Sequence, residues 1–104
     1  MDKRLYKIDD NSIQNLKKIG FKYSETGIYT YEFPGYKWHG YTTIICRVTA
    51  FEDSKNVVID VLNESLELYA PYYAENTNSN VLAIVKANIK REIQKLGIER
   101  VADE

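Results

Sequence analysis

Alternating apolar and polar positions mark several β-strands in the middle of the chain. The clearest run covers residues 41–51, where every second residue can face a core: Thr42, Ile44, Cys46, Val48 and Ala50. Such a period of two is typical of a half-buried strand. The same criterion predicts strands over residues 21–24, 28–33 and 57–62, and a short fifth strand over 66–69. Residues 1–8 alternate less clearly, which indicates either a short edge strand or an ordered arm.

Two stretches instead repeat their apolar residues every three or four positions, which is typical of amphipathic helices. The first covers residues 12–19, and the second runs from residue 80 to residue 96. Asp9, Asp10 and Asn11 can cap the first helix at its start. Gly20 and Gly97 stand where each pattern stops, and glycine commonly ends a helix in a left-handed conformation.

The remaining segments read as turns or loops. Pro34 cannot donate a ladder hydrogen bond and is therefore expected to end the strand before it. Residues 35–40 (GYKWHG) then form a loop with a glycine at each end. Residues 70–80 form an irregular segment rich in turn formers. Residues 99–104 are expected to be a frayed tail.

These elements predict one α+β domain spanning residues 1–104, in the order α-β-β-β-β-(β)-α. Short connections favour an antiparallel meander of four or five strands. Each helix has a single apolar stripe, so both are expected to pack on one face of the sheet in a two-layer sandwich.

Composition narrows the class of protein further. The net charge is −1 and apolar residues make up 44% of the chain, as in ordinary globular domains. Acidic side chains predominate in residues 52–78, whereas residues 1–22 and 79–96 are basic. No stretch is long and apolar enough for a membrane span, and the first residues lack the pattern of a signal peptide. A cytoplasmic protein that does not enter a membrane is expected.

Catalytic chemistry finds little support in the sequence. The chain contains one His and one Cys, which are too few for a zinc site, and a lone Cys cannot form an internal disulfide. His39 lies in the predicted loop while Cys46 points to the predicted core, so a Cys–His nucleophile is not expected. No phosphate-binding or dinucleotide-binding motif is present. We therefore expect a non-enzymatic protein with no cofactor and no metal.

The strongest positive signal is aromatic. Six of the thirteen aromatic residues fall within residues 29–41, together with the only Trp and the only His. The expected partner-binding residues are Tyr36, Lys37, Trp38, His39 and Tyr41. Tyr and Trp provide large contact areas at protein interfaces, so a protein partner is the leading hypothesis.

Two other interpretations of these residues stay open. Trp38 could instead cap the open end of the sheet and serve the fold alone. Aromatic rings beside cations can also stack on bases, which suggests a nucleic-acid-binding alternative with Lys86, Lys90 and Arg91 of the last helix. Self-association as a homodimer is compatible with an uncovered sheet face or with an edge strand. The composition resembles that of bacteriophage or mobile-element accessory proteins.

Overall fold

A six-stranded antiparallel sheet forms the frame of the protein in the computed structural model, which describes residues 4–74 and 79–103. For residues 4, 5 and 101–103 the description covers the backbone alone. The strands are β1 (Arg4–Ile8), β2 (Lys22–Ser24), β3 (Ile28–Trp38), β4 (Tyr41–Phe51), β5 (Asn56–Leu62) and β6 (Ile98–Asp103). Their order across the sheet is β2-β3-β4-β5-β1-β6. The α+β class and the antiparallel meander from β2 to β5 are thereby confirmed.

Residues 4–8 and 98–103 complete the sheet, so the first stretch is the strand that was one of its two expected forms, although not at an edge, and the second corrects the expectation of a frayed tail. Residues 99–104 were expected to fray, but β6 pairs with β1 along its length, with Ile8 opposite Ile98 and Tyr6 opposite Arg100. The stretch 1–8 provides an inner strand rather than an edge, since β1 also pairs with β5. Burial explains the pairing, because Tyr6, Ile8 and Ile98 are all buried in the core. The local signal was weak for residues 1–8 and absent for residues 99–104, since these two strands pair with each other across about 95 residues.

Helices cover one face of this sheet. They are α1 (Asp10–Gln14), α2 (Leu16–Ile19), α3 (Ala70–Tyr73) and α4 (Asn80–Leu96). The Asp9 carboxylate accepts a hydrogen bond from the Ser12 amide and so caps α1 as expected. Gly20 and Gly97 end α2 and α4 in left-handed conformations. The helix expected over residues 12–19 is divided at Asn15, whose amide donates to the Ser12 carbonyl in a tight turn.

The core lies between the helices and the inner face of the sheet. Four of the five predicted inner residues of β4 are buried, whereas Thr42 is half-buried. The buried four share one cluster with Ile13 and Leu16 of the first two helices and with Val85 and Ile89 of α4. Both helical regions therefore pack on the same face, as expected for a two-layer arrangement.

A tight turn follows β5 where a fifth meander strand was expected. Residues 66–69 contribute a single bridge, between Leu62 and Leu68. The Leu66 amide donates to the Asn63 carbonyl, and Leu66 takes a left-handed conformation with φ 63°. Three-residue hairpin turns require such a residue, most often glycine. Within the expected irregular segment 70–80, α3 forms one helical turn, and residues 75–78 lie outside the described residues.

No helix in the described ranges is long and apolar enough to cross a membrane.

Candidate functional site: the tip of the β3–β4 hairpin

The longest hairpin of the sheet ends in an exposed aromatic pair. Trp38 closes β3, Tyr41 opens β4, and the two residues stand directly opposite each other in the ladder. The exposed fractions are 59% for Trp38 and 76% for Tyr41. Large aromatic side chains usually bury most of their area, so two adjacent exposed ones form an unusual surface.

A two-residue turn joins these aromatics. His39 has φ 48° and Gly40 has φ 84°, so both residues are left-handed. This combination is typical of the type I′ turn, whose twist matches that of the flanking strands. The His39 ring meets the Trp38 ring edge to face, with centroids 4.5 Å apart. The tip is therefore a short, regular turn that carries three adjacent rings.

This geometry corrects the prediction of a six-residue loop over 35–40. Residues 35–38 continue β3 through two irregularities in the ladder, between Pro34 and Tyr36 and between Tyr36 and Lys37. Pro34 is tolerated because β2 begins opposite Thr30 and does not reach Pro34. Beyond that point, β3 has no neighbour on that side among the described strands. A proline at such an edge removes no ladder hydrogen bond.

The structure separates the five expected partner-binding residues into two groups. Lys37, Trp38, His39 and Tyr41 are all exposed at the tip. Tyr36 is half-buried, packs against the core, and stands opposite Ile44 in the ladder. Tyr36 therefore belongs to the base of the hairpin and offers less surface to a partner.

Gly35 and Asn88 fix this base to α4. The Asn88 side-chain amide donates to the Gly35 carbonyl over 2.8 Å. Arg91 in turn donates to the side-chain oxygen of Asn88. A Cβ atom on Gly35 would come within 2.8 Å of the Cys46 sulfur, so only glycine fits without displacing it. Asn88 was missed in the sequence, where its one signal is a polar residue at the margin of an apolar helical stripe.

The three basic residues of the nucleic-acid alternative do not form one patch. Lys86 and Lys90 line a groove on the side of α4 that faces β6. Arg91 follows Lys90 by one position and is therefore rotated by about 100° around the helix. Its guanidinium lies with Asn88, on the side of α4 that contacts β3.

The outer face of the sheet is amphipathic and carries no helix from the described segments. Glu32 and Arg47 form an ion pair across β3 and β4, with oxygen and nitrogen 2.8 Å apart. Tyr29 and Phe33 are buried on the opposite, inner face. The outer face thus carries polar side chains with scattered apolar ones such as Val58.

Two observations concern reactive chemistry. Cys46 is fully buried, and burial raises the pKa of its thiol to about 12. His39 lies on the exposed tip, so the two residues do not meet as a catalytic pair. Across the described part of the chain, no three His, Cys, Asp or Glu side chains cluster closely enough to hold a metal ion.

Comparisons with known proteins found one solved structure with a similar fold. No protein-family model matches the chain, and no curated protein matches it. Its fold is similar to that of a DUF1831 family protein (lp2179) from Lactobacillus plantarum, known from a crystal structure at 1.20 Å resolution. The TM-score is 0.54 at 13% sequence identity, covering 96% of this chain and 90% of that one. At this identity the likeness concerns the fold alone.

Proposed function

We propose that the protein is a non-enzymatic, cytoplasmic interaction module that binds another protein through the tip of the β3–β4 hairpin. The exposure of the directly opposed Trp38 and Tyr41 carries this proposal. Tryptophan and tyrosine are enriched among the residues that dominate binding energy at protein interfaces. Lys37 and His39 supply polar groups at the edge of the same surface. The setting expected from composition is that of a bacteriophage or mobile-element accessory protein.

The rigidity of the hairpin supports the same function. A two-residue turn, a strand ladder that extends to Trp38 and Tyr41 despite two irregularities, and the Asn88–Gly35 hydrogen bond all restrict the tip before any partner arrives. A surface that is already ordered loses less conformational entropy when it binds. The aromatic pair is therefore well placed to contribute affinity.

The experiment compares a tip variant with a matched control. Trp38→Ala/Tyr41→Ala removes the aromatic pair, and Ile84→Ala removes an apolar side chain that is 45% exposed on α4. A photo-cross-linking amino acid at position 41 identifies the partner, and the same amino acid at position 58, on the outer face, is the control. Affinity for the identified partner is then measured by calorimetry.

We expect the tip variant to fold normally, because exposed side chains usually contribute within about 0.5 kcal/mol to stability. Its affinity should fall by roughly 30-fold or more, the effect of losing one interface hot spot. Ile84→Ala should bind as the unmodified protein does. Unfolding of Trp38→Ala would assign that residue to the fold and remove the main support for the proposal.

Other results would favour a different function. Binding to nucleic acid that falls steeply with salt and disappears in Lys86→Glu/Lys90→Glu would favour the nucleic-acid alternative. Cross-linking of position 41 to a second copy of the chain would make the homodimer the partner. Sedimentation equilibrium then measures its dissociation constant.

A further inference from the structure

A second surface lies at the β6 edge of the sheet, between α4 and β6. This groove has a volume of about 650 Å³. Its floor is formed by Tyr6, Ile89 and Ile98, and its helical side by Lys86, Lys90 and Ile93. No residue of the hairpin tip contributes to it.

The rim of the groove is basic. Lys86 and Lys90 are exposed, one helical turn apart, and neither forms an ion pair with any residue that the structure describes. Arg100 also lines the groove. Glu99 also lines the groove, and it stands opposite the exposed Lys7 in the ladder. Because side chains alternate along a strand, its carboxylate belongs to the other face from Ile98 and Arg100.

The edge of β6 runs along this groove. β6 pairs with β1 on one side, and its other side has no strand neighbour within residues 4–74 and 79–103. Such an edge presents backbone N–H and C=O groups that can pair with another chain. A six-residue strand offers an edge of about 20 Å, at about 3.3 Å per residue.

The burial of the floor decides which ligand fits. Tyr6, Ile89 and Ile98 are each at most 7% exposed, so they offer little apolar surface to a small apolar molecule. The backbone edge, the lysine charges and the half-buried Ile93 remain available to a ligand. An extended peptide can use all three, since its backbone pairs with β6 while alternate side chains point toward α4.

We propose that the β6 edge and this groove bind an extended acidic peptide by β-strand addition. The added strand lies about 4.8 Å from β6 and continues the sheet beneath the flank of α4. Its groove-facing positions carry Asp or Glu opposite Lys86 and Lys90, with an apolar residue near Ile93. This surface shares no residue with the hairpin tip, so the protein can hold two partners at once.

The test uses a panel of eight synthetic ten-residue peptides. Each alternates threonine with glutamate or valine, and the panel varies the spacing of the glutamates. Lysine replaces glutamate in one control set, and alternate backbone amides are N-methylated in another. Titration into the isotopically labelled protein at low salt is followed by amide chemical shifts.

Two charge-reversed proteins complete the design. Lys86→Glu/Lys90→Glu changes the groove. Lys18→Glu/Lys22→Glu makes the same change in net charge at exposed lysines of α2 and of β2, the opposite edge strand. Circular dichroism checks that both variants keep the fold.

The acidic peptides should shift the amides of residues 98–103 and of α4 around Lys86 and Lys90. Affinity should fall by about tenfold or more in the groove variant, because two attractive charge pairs become repulsive. Three controls distinguish strand addition in the groove from general charge attraction. They are the Lys18→Glu/Lys22→Glu protein, the lysine peptides and the N-methylated peptides. Only the acidic peptides with free amides should bind, and they should bind Lys18→Glu/Lys22→Glu normally.

Three results would overturn the proposal. They are no binding by any of the eight acidic peptides, equal binding by the N-methylated peptides, and equal loss of affinity in both charge-reversed proteins. In the first case Lys86 and Lys90 serve only to discourage strand pairing at this edge. The hairpin-tip variant should bind the peptides normally, which keeps this test independent of the proposed function.

Discussion

Gly35 of β3 lies against the Cys46 side chain of β4 in the hairpin that carries Trp38, and replacing Gly35 tests that contact. The Cβ of Gly35→Ala would meet the Cys46 sulfur at 2.8 Å and the Cγ2 of Ile44 at 3.3 Å. Cys46 is fully buried, so its side chain has little room to withdraw. Gly35 does not have a positive φ, so the effect of alanine is one of packing.

The expected size of the effect follows from overpacking. Adding a carbon to a well-packed core typically costs about 1–3 kcal/mol. Cys46→Ala alone removes a buried sulfur and should cost about 1–2 kcal/mol. In the double variant Gly35→Ala/Cys46→Ala the sulfur is absent, and the nearest remaining contacts are those to Ile44. The double variant should therefore be more stable than the sum of the single effects by about 1 kcal/mol or more.

Urea unfolding of the four proteins measures this coupling. With a slope near 1.5 kcal/mol per molar urea, a loss of about 2 kcal/mol lowers the midpoint by roughly 1.3 M. Single effects that add to within about 0.5 kcal/mol would refute the contact between position 35 and the Cys46 sulfur. A slope that changes between variants would point to an altered unfolded state instead.

Three further predictions concern other parts of the fold. Gly97→Ala should lower the free energy of unfolding, measured in urea, by at least about 1 kcal/mol more than Gly40→Ala does. Both glycines have positive φ, but only a Cβ at position 97 would meet the Ser12 hydroxyl oxygen, at 2.5 Å. Equal losses in the two variants would contradict that contact. Burial raises the pKa of Cys46 from 9.0 to about 12, so the folded thiol should be inert to disulfide reagents near pH 8. Stability from the protonated thiol should be complete below pH 9 and fall as the pH rises toward 12, and a Cys46→Ala protein with the same fall would refute this. Glu32→Ala should lower the free energy of unfolding by less than about 1 kcal/mol, and by less still in about 1 M salt, because the Glu32–Arg47 ion pair is partly exposed. A larger loss that salt does not change would show that Glu32 acts through packing.

Elements with a local cause were predictable from the sequence. The alternation through Ile44, Cys46 and Val48 predicted the core strand, and Gly20 and Gly97 predicted where two helices end. These signals need no distant partner, because strand period and helix capping act within a few residues.

Long-range pairing and ladder irregularities were not predictable. β1 and β6 stabilise each other across almost the whole chain, and residues 98–103 contain nothing that marks a strand without that partner. Pro34 was interpreted as the end of β3, but it lies where no neighbouring strand needs its amide. The aromatic residues were recognised as a group, whereas the division between half-buried Tyr36 and exposed Trp38 depends on the bulge beside Gly35.

The pairing of β1 with β6 also constrains how the chain folds and how it can be rearranged. Arg4 stands opposite Asp103, so the two ends of the described chain lie side by side. Contacts between residues so far apart in the sequence raise the contact order, because the long loop between them must close before they can form. Folding should therefore take milliseconds to seconds. The same proximity makes the domain suitable for circular permutation, with a short linker that joins residue 103 to residue 4 and new ends opened between Glu64 and Ser65. In that permutant β6 and β1 become a local hairpin, and folding should accelerate.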